Sequence, residues 1–549
     1  MDTMEFNLLQ ERWVRVRTQD GTIRTVSLTD ALLHAHAYVD LAGEMPTQDA
    51  AMLRLQLAVL HTVFSRVDGN GVPAPFEEPR DALQRWGELW QLGHFPEQPI
   101  RDYLDKWQDR FWLFHPERPF WQVPEAKIGT EYTASKLNGE LSESSNKLRL
   151  FSACTGAGKN GLSYAQAARW LLSVNGYDDT SAKPKGKGLP SVGAGWLGKL
   201  GYLQAQGKNL FETLMLNLTF LQDGRELWEE DRPCWELDVP RSAERTEIAL
   251  PDNPAQLLTL QSRRLLLCRK GQTVTGFTLL GGDFFPRENA FAEQMTVWRD
   301  PDPKKSKKTG TPTFVPSRHD PSRQFWREFP AVFCDEGESV RKPGIVRWIE
   351  ALQSSTPRQL DRRRMICFRI SGMKYGDKDF FVNDAFSDSL TFQAELLEGL
   401  AKNWRKRITT EIDNCERAAA IVGRLAQNLA LAAGDKNDTG AEAARAQFYF
   451  AVDQPFRRWL QGIDPETDEP VEKAAEWQEQ AYRLAAELGR QMVEQAGAAA
   501  FVGRRIPDAK NKDKSYLYTA PKAYNSFLYD LRKLYPKQDE GGTEGKPMR

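Results

Sequence analysis

The stretch SACTGAGKNG, beginning at Ser152, comes close to a phosphate-binding loop. In the pattern GxxxxGK[ST], backbone amides cradle a polyphosphate, the lysine reaches it and the hydroxyl holds magnesium. Here Ala153, Gly158 and Lys159 take the positions of the first glycine, the second glycine and the lysine, while Asn160 stands where the hydroxyl belongs. Asparagine is a poor substitute for that ligand, and no apolar strand ending in Asp supplies a second carboxylate. The chain also lacks the alternating strand and helix series of a P-loop fold. Gly158 and Lys159 are left with a contact to one nucleic-acid phosphate at a helix start, or with a plain tight turn.

Other reactive residue types are no better arranged. The histidines (His34, His36, His61, His94, His115, His319) form no HExxH or HD pair, and the acidic residues show no motif for a metal-dependent nuclease. The cysteines (Cys154, Cys234, Cys268, Cys334, Cys367, Cys415) occur singly, without the CxxC pairing of a structural zinc site or the spacing of a disulfide framework. The expectation is a protein that is not an enzyme, with no metal and no cofactor.

At 549 residues, with 40% hydrophobic and 27% charged, the chain is too long for a single core and has the composition of a soluble multidomain protein. The amino-terminal MDTMEFNLLQERW lacks the basic start and apolar middle of a signal peptide, and no apolar run reaches bilayer length, so the expected location is cytoplasmic with no membrane partner. The net charge of −1 excludes a uniformly basic nucleic-acid binder. Basic residues instead gather at Lys183–Lys187, Arg299–Lys308, Arg358–Arg364, Lys402–Arg407 and Arg504–Lys514. Each cluster alone reads as a solvated loop; five on a near-neutral chain also suit a protein that touches a phosphate backbone in patches.

The elements that must position these residues read as follows. WVRVR and IRTVSL flank a turn, and after Thr47, an N-cap candidate, AAMLRLQLAVLHTVFSRV has the period of a helix with one buried face. DRFWLFHPERPFWQVP is a rigid aromatic block. Residues 125–147 are polar and weakly periodic, the pattern of a long loop, and KLRLF, CTGAGKNG and SYAQAARWLLSVN then read as strand, turn and helix. From Gly176 to Gly201 glycine and proline dominate, which predicts an irregular loop. RLLLCRKGQTVTGFTLL and the region of SGMKYGDKDFF read as hairpins. From about Asp388 four helical tracts follow, the third with a stripe at Trp477, Ala481, Leu484, Leu488 and Met492. The fold class is therefore α+β: a large mixed domain over 1–380, an antiparallel four-helix bundle over 381–535 and a disordered tail over 536–549.

NLLQERWVRVR, DRFWLFHPERPFWQ, GWLGKLGYLQAQGKNLFETLMLNL and SYLYTAPKAYNSFLYDLRKL occur in an order that resembles the large-subunit family, CasA, of the type I-E CRISPR surveillance complex, Cascade. The resemblance implies a noncatalytic subunit that recognises the protospacer-adjacent motif (PAM) in double-stranded target DNA, starts strand separation and the R-loop, and helps recruit a helicase-nuclease. It implies a first-domain loop, here Leu137, Asn138, Gly139, Ser144, Asn146 and Lys147, at the 5' end of the guide RNA and the backbone subunits. It implies a glycine-rich PAM loop from Gly176 to Gly195, with Gly176, Tyr177, Asp178 and Asp179 at the DNA, and a basic finger at Arg269 and Lys270 or at Arg287 and Asn289. It further implies a wedge at Lys374, Tyr375, Gly376, Asp377 and Lys378, although family members place an amide residue at its tip. The bundle would lie along the displaced strand and the small subunits, through Lys402, Arg405, Lys406, Arg407, Arg504 and Arg505. Two other readings stand beside this one: a P-loop-like nucleotide-binding protein and a purely architectural subunit.

Overall fold

The computed structural model describes residues 4–137, 160–179, 189–334, 340–435, 439–507 and 515–536. The fold is α+β and divides into two compact units, one of residues 1–325 and 331–389, the other of 326–330 and 390–549.

Among the described residues the first unit holds three three-stranded sheets besides three two-stranded ones. Val14–Thr18 pairs with Ile23–Val26 and Tyr38–Leu41. Thr273–Gly281 pairs with Arg263–Lys270 and with Thr130–Thr133. Met365–Tyr375 lies between Tyr202–Gln206 and Val382–Gln393. The helix Pro46–Phe64 runs through this unit, starting from Met45 with Pro46 at its first position, so Thr47 is buried within the first turn and is not the cap. The period predicts one buried face; the helix is in fact buried on nearly every side, Arg54, Gln56 and His61 included. Each Leu or Phe fully buried there contributes about 1.5–3 kcal/mol relative to exposure.

The aromatic block is buried as expected. Trp112–Phe114 pairs with Glu5–Asn7, and Phe111 stacks on Phe120 at 5.1 Å between centroids. The long loop over 125–147 is corrected at its start: Pro124–Ile128 is a 3-10 turn, Thr130–Thr133 a strand and Ala134–Leu137 a short helix. The strand partner that makes this possible, Thr273–Gly281, lies more than a hundred residues downstream.

In the second unit, Lys402–Ala433, Thr439–Gln461, Pro470–Glu494 and Ala520–Leu534 are the four long helices, the first packed against each of the other three. The predicted stripe is rotated. Trp477 and Ala481 are buried, but the face continues through Ala485 and Gly489, while Leu484, Leu488 and Met492 are only half-buried. A side chain at Gly489 would overlap the ring of Phe527, so small residues set how closely these two helices pack.

Candidate nucleic-acid interface

The helix Tyr164–Tyr177 is the scaffold of the site. Ser163 caps it, accepting from the Gln166 amide while the Gln166 side chain accepts from Ser163. Gly176 and Tyr177 form its last turn and are buried, so the glycine-rich loop does not begin at Gly176 as the sequence suggests. Gly176 is a packing glycine: a Cβ there would overlap Leu197, and one at Gly195 would overlap the Gly176 carbonyl. The Gly195 amide donates to the Asp178 carbonyl at 2.9 Å, closing the helix end against the 189–199 segment.

Asp178 and Asp179, expected at the DNA, are likewise buried. Arg263 places Nε 2.7 Å from Asp178 Oδ2, and its Nη2 donates to the carbonyls of Asp178, Asp179 and Gly193. Lys136 Nζ lies 2.7 Å from Asp179 Oδ2, and these carboxylates raise the lysine's pKa against the opposing effect of burial. Removed from water and matched by two cations, both carboxylates are structural. Leu137, next to Lys136, is fully buried and is not a loop contact. Asn138, Gly139, Ser144, Asn146, Lys147, Gly158 and Lys159 lie outside the described residues.

The wedge hairpin meets this helix end. Tyr375 Oη donates to the Tyr177 carbonyl at 2.6 Å, and Gly198 leaves no room for a side chain beside that hydroxyl. Tyr375 is thus an anchor and not the unstacking residue its position suggests. Arg318 makes the second tie: Nη1 and Nη2 donate to Asp379 at 2.7 and 2.9 Å, Nε donates to the Gly198 carbonyl at 2.6 Å, and the guanidinium lies 4.6 Å from the centre of the Tyr375 ring. Lys378 and Asp379 both have left-handed backbone, with φ of 53° and 60°, which turns the tip tightly. Lys374, Asp377 and Lys378 are exposed, and Phe380, 50% exposed, is the apolar group at the tip.

The two basic-finger candidates separate. Arg269 is 2.5 Å from Glu5, donates to Tyr164 Oη and lies over Phe114, so it is held within the protein. Lys270 is exposed at the hairpin tip, beside the Tyr164 end of the helix. The Gly176 end is a helix length away, roughly 20 Å. Arg287, exposed beside Glu288, is near enough to the opposite end to act on Lys199. Asn289 is structural: φ is 54°, and its amide and Oδ1 pair with Phe314 at 2.8 Å each.

Sequence reasoning missed the residues that knit this end together. Trp196 donates from its indole to Glu293 at 2.8 Å, and Arg54 from the central helix binds Glu293 with two contacts of 2.9 Å. Lys199 sits under Gly193; burial and the surrounding Arg263, Arg245, Arg287 and Arg318 lower its pKa to about 8. Its setting in GWLGKLG was a visible signal, whereas nothing local marks Arg318 or Arg263.

In the second unit Lys402, Lys406, Arg504 and Arg505 are exposed and Arg407 is half-buried. Arg405 is buried and donates to the carbonyls of Leu396 and Glu398 at 2.9 and 2.5 Å, so it braces the preceding turns and is removed from the expected DNA contacts. Arg504 lies against Gly434, at the far end of the same helix that Lys402 begins, so the two basic groups are about 45 Å apart. Among the described residues no cluster of His, Cys, Asp or Glu could hold a metal ion.

A family model described as CRISPR-associated protein Cse1 (CRISPR_cse1) matches residues 7–488. CasA/Cse1 of Thermus thermophilus is 32% identical over 340 residues, which cover 61% of this chain and 62% of that relative, less than two thirds of its length. The crystal structure of Thermobifida fusca Cse1 shares 30% identity and superposes with a TM-score of 0.81, covering 97% of this chain and 98% of that one. That of Acidimicrobium ferrooxidans Cse1 shares 26% identity with a TM-score of 0.76 over 98% and 100%. With the family match spanning both units and the fold reproduced along the chain's length, the protein belongs to the CRISPR-associated Cse1, or CasA, family.

Proposed function

We propose that the protein is the noncatalytic large subunit of a type I-E RNA-guided surveillance complex in the cytoplasm, recognising the PAM of duplex DNA and initiating strand separation and the R-loop. The carrying observation is the convergence of the 189–199 segment, the wedge hairpin and Arg318 on one helix end. Base pairing with the guide supplies sequence, and this protein supplies the flank reading and the grip. In this reading Lys374 and Lys378 hold phosphate while Phe380 presses on the first base pair, a basic group and an apolar wedge on one rigid tip. Gly176, Tyr177, Asp178, Asp179 and Tyr375 act from within, as the support on which exposed residues are mounted. Lys402, Lys406, Arg504 and Arg505 meet the displaced strand, and the guide RNA 5' end, the backbone and small subunits and a helicase-nuclease complete the partners. No helix among the described residues is long and apolar enough to cross a membrane.

The test is DNA binding by the reconstituted guide complex with and without this subunit, on targets that match the guide and differ only in the flank. Discrimination that requires the subunit, and that a Lys378→Ala, Phe380→Ala variant loses, supports the reading. Binding indifferent to removal of the subunit ends it.

A further inference from the structure

We infer that Lys199 contacts a backbone phosphate of the flanking duplex, in a narrow cleft that it shares with Arg245. This inference rests on the PAM-sensing reading above and adds a residue to it.

The cleft is lined by Lys199, Arg245, Arg263 and Asp283, between Trp196, Phe284 and Phe285. Arg263 is matched by Asp178 at 2.7 Å. Asp283 is matched by Arg264 at 2.6 Å and Arg241 at 3.0 Å. Arg318 is engaged by Asp379, and Arg287 lies beside Glu288. Arg245 stacks on Phe284 at 4.1 Å and donates to the carbonyls of Pro190 and Ser191, with Glu247 the carboxylate that acts on it. Lys199 is different: among the described residues no carboxylate lies within ion-pair distance of its ammonium, and four arginines raise the local potential.

A half-buried ammonium with no carboxylate beside it among the described residues, set among arginines, is costly in the free protein. An anion at the cleft mouth offsets that cost and converts it into binding free energy. Gly193, directly above Lys199 with φ of 64°, keeps the approach free of a side chain. The contact is sequence-independent, since phosphates position a protein on DNA and bases specify. It clamps the duplex while the hairpin tip works on the adjoining base pair.

The experiment compares wild type, Lys199→Met and Lys199→Arg in the reconstituted complex, on duplex targets at several salt concentrations. Lys199→Met is expected to weaken binding roughly three- to tenfold, equally for every flank, and to lower the salt slope by about one. Lys199→Arg retains most of the affinity. Neutral methylphosphonate linkages scanned through the flank should find a position that weakens wild type and leaves Lys199→Met unaffected. Lys199→Met should melt no lower than wild type, which separates lost contact from lost fold. If Lys199→Met binds with unchanged affinity and slope while Lys378→Ala, Phe380→Ala still loses discrimination, the inference is overturned and the PAM reading survives. If neither variant alters DNA binding, that reading fails too. Inorganic phosphate that stabilises wild type but not Lys199→Met, with DNA affinity unchanged, would assign the cleft to a free anion and also overturn the inference.

Discussion

The hydroxyl of Tyr375 donates to the carbonyl of Tyr177 across 2.6 Å, joining a hairpin tip to the end of a helix 198 residues earlier in the chain. That carbonyl belongs to the last turn of the helix, where main-chain acceptors have no partner within the helix. Tyr375→Phe keeps the ring beneath Arg318 and removes the donor. It should lower stability by about 1–2 kcal/mol in chemical denaturation and weaken flank discrimination in the assembled complex. An unchanged denaturation midpoint would show that the tie carries no stability.

Gly195 and Gly176 should respond differently to alanine. The added methyl at Gly195 meets the Gly176 carbonyl, which cannot move without breaking the helix end. At Gly176 it meets the tip of Leu197, a side chain able to turn aside. Gly195→Ala should cost about 2–4 kcal/mol and Gly176→Ala distinctly less, read from melts of the purified subunit. The reverse order would contradict the packing described.

Arg263→Met leaves buried Asp178 with only the Lys136 ammonium, 3.9 Å away, and a cost of about 3–5 kcal/mol follows. Adding Asp178→Asn should recover a large part of that loss, because the uncompensated charge is gone. A double variant no more stable than Arg263→Met would mean that the four carbonyls bound by Arg263 matter more than the ion pair.

His61 gives a pH signature. Burial lowers its pKa from 6.5 to about 3, so between these values the unfolded chain binds a proton that the folded chain refuses. Stability therefore falls as the pH drops through that window, by up to about 1.4 kcal/mol per unit. Asp231, in the same cavity, is pushed up to about 6 by burial and acts in the opposite sense, losing stability as the pH rises towards 6. Comparing His61→Gln with wild type isolates the histidine, and the variant should lose less stability between pH 6.5 and 4.5. Parallel curves would refute the assignment.

Hairpins and long helices were legible in the sequence because their signals are local: alternation around RKGQ, the turn in KYGDKD and the period of the four last tracts. What misled was glycine. A run rich in glycine reads as a loop, yet Gly176 closes a helix, where Leu197 occupies the space of its side chain and its carbonyl fills that of Gly195. The pair Asp178 and Asp179 looks solvated until Arg263 and Lys136 arrive from 85 and 43 residues away. Size misled in Pro470–Glu494, where Leu484 and Leu488 outrank Ala485 and Gly489 on any hydrophobic scale but are only half-buried, while the two small residues are buried and Gly489 meets Phe527.

Glu293 carries a wider consequence. It receives Arg54 across 239 residues of sequence and Trp196 across 97, so the lysine-bearing segment is held by parts of the chain that are synthesised far apart. The segment is not a portable module. Grafted onto a relative that lacks the acid or its arginine, it would arrive without the post to which it is tied, and an exchange of this segment between family members must carry Arg54, Trp196 and Glu293 together.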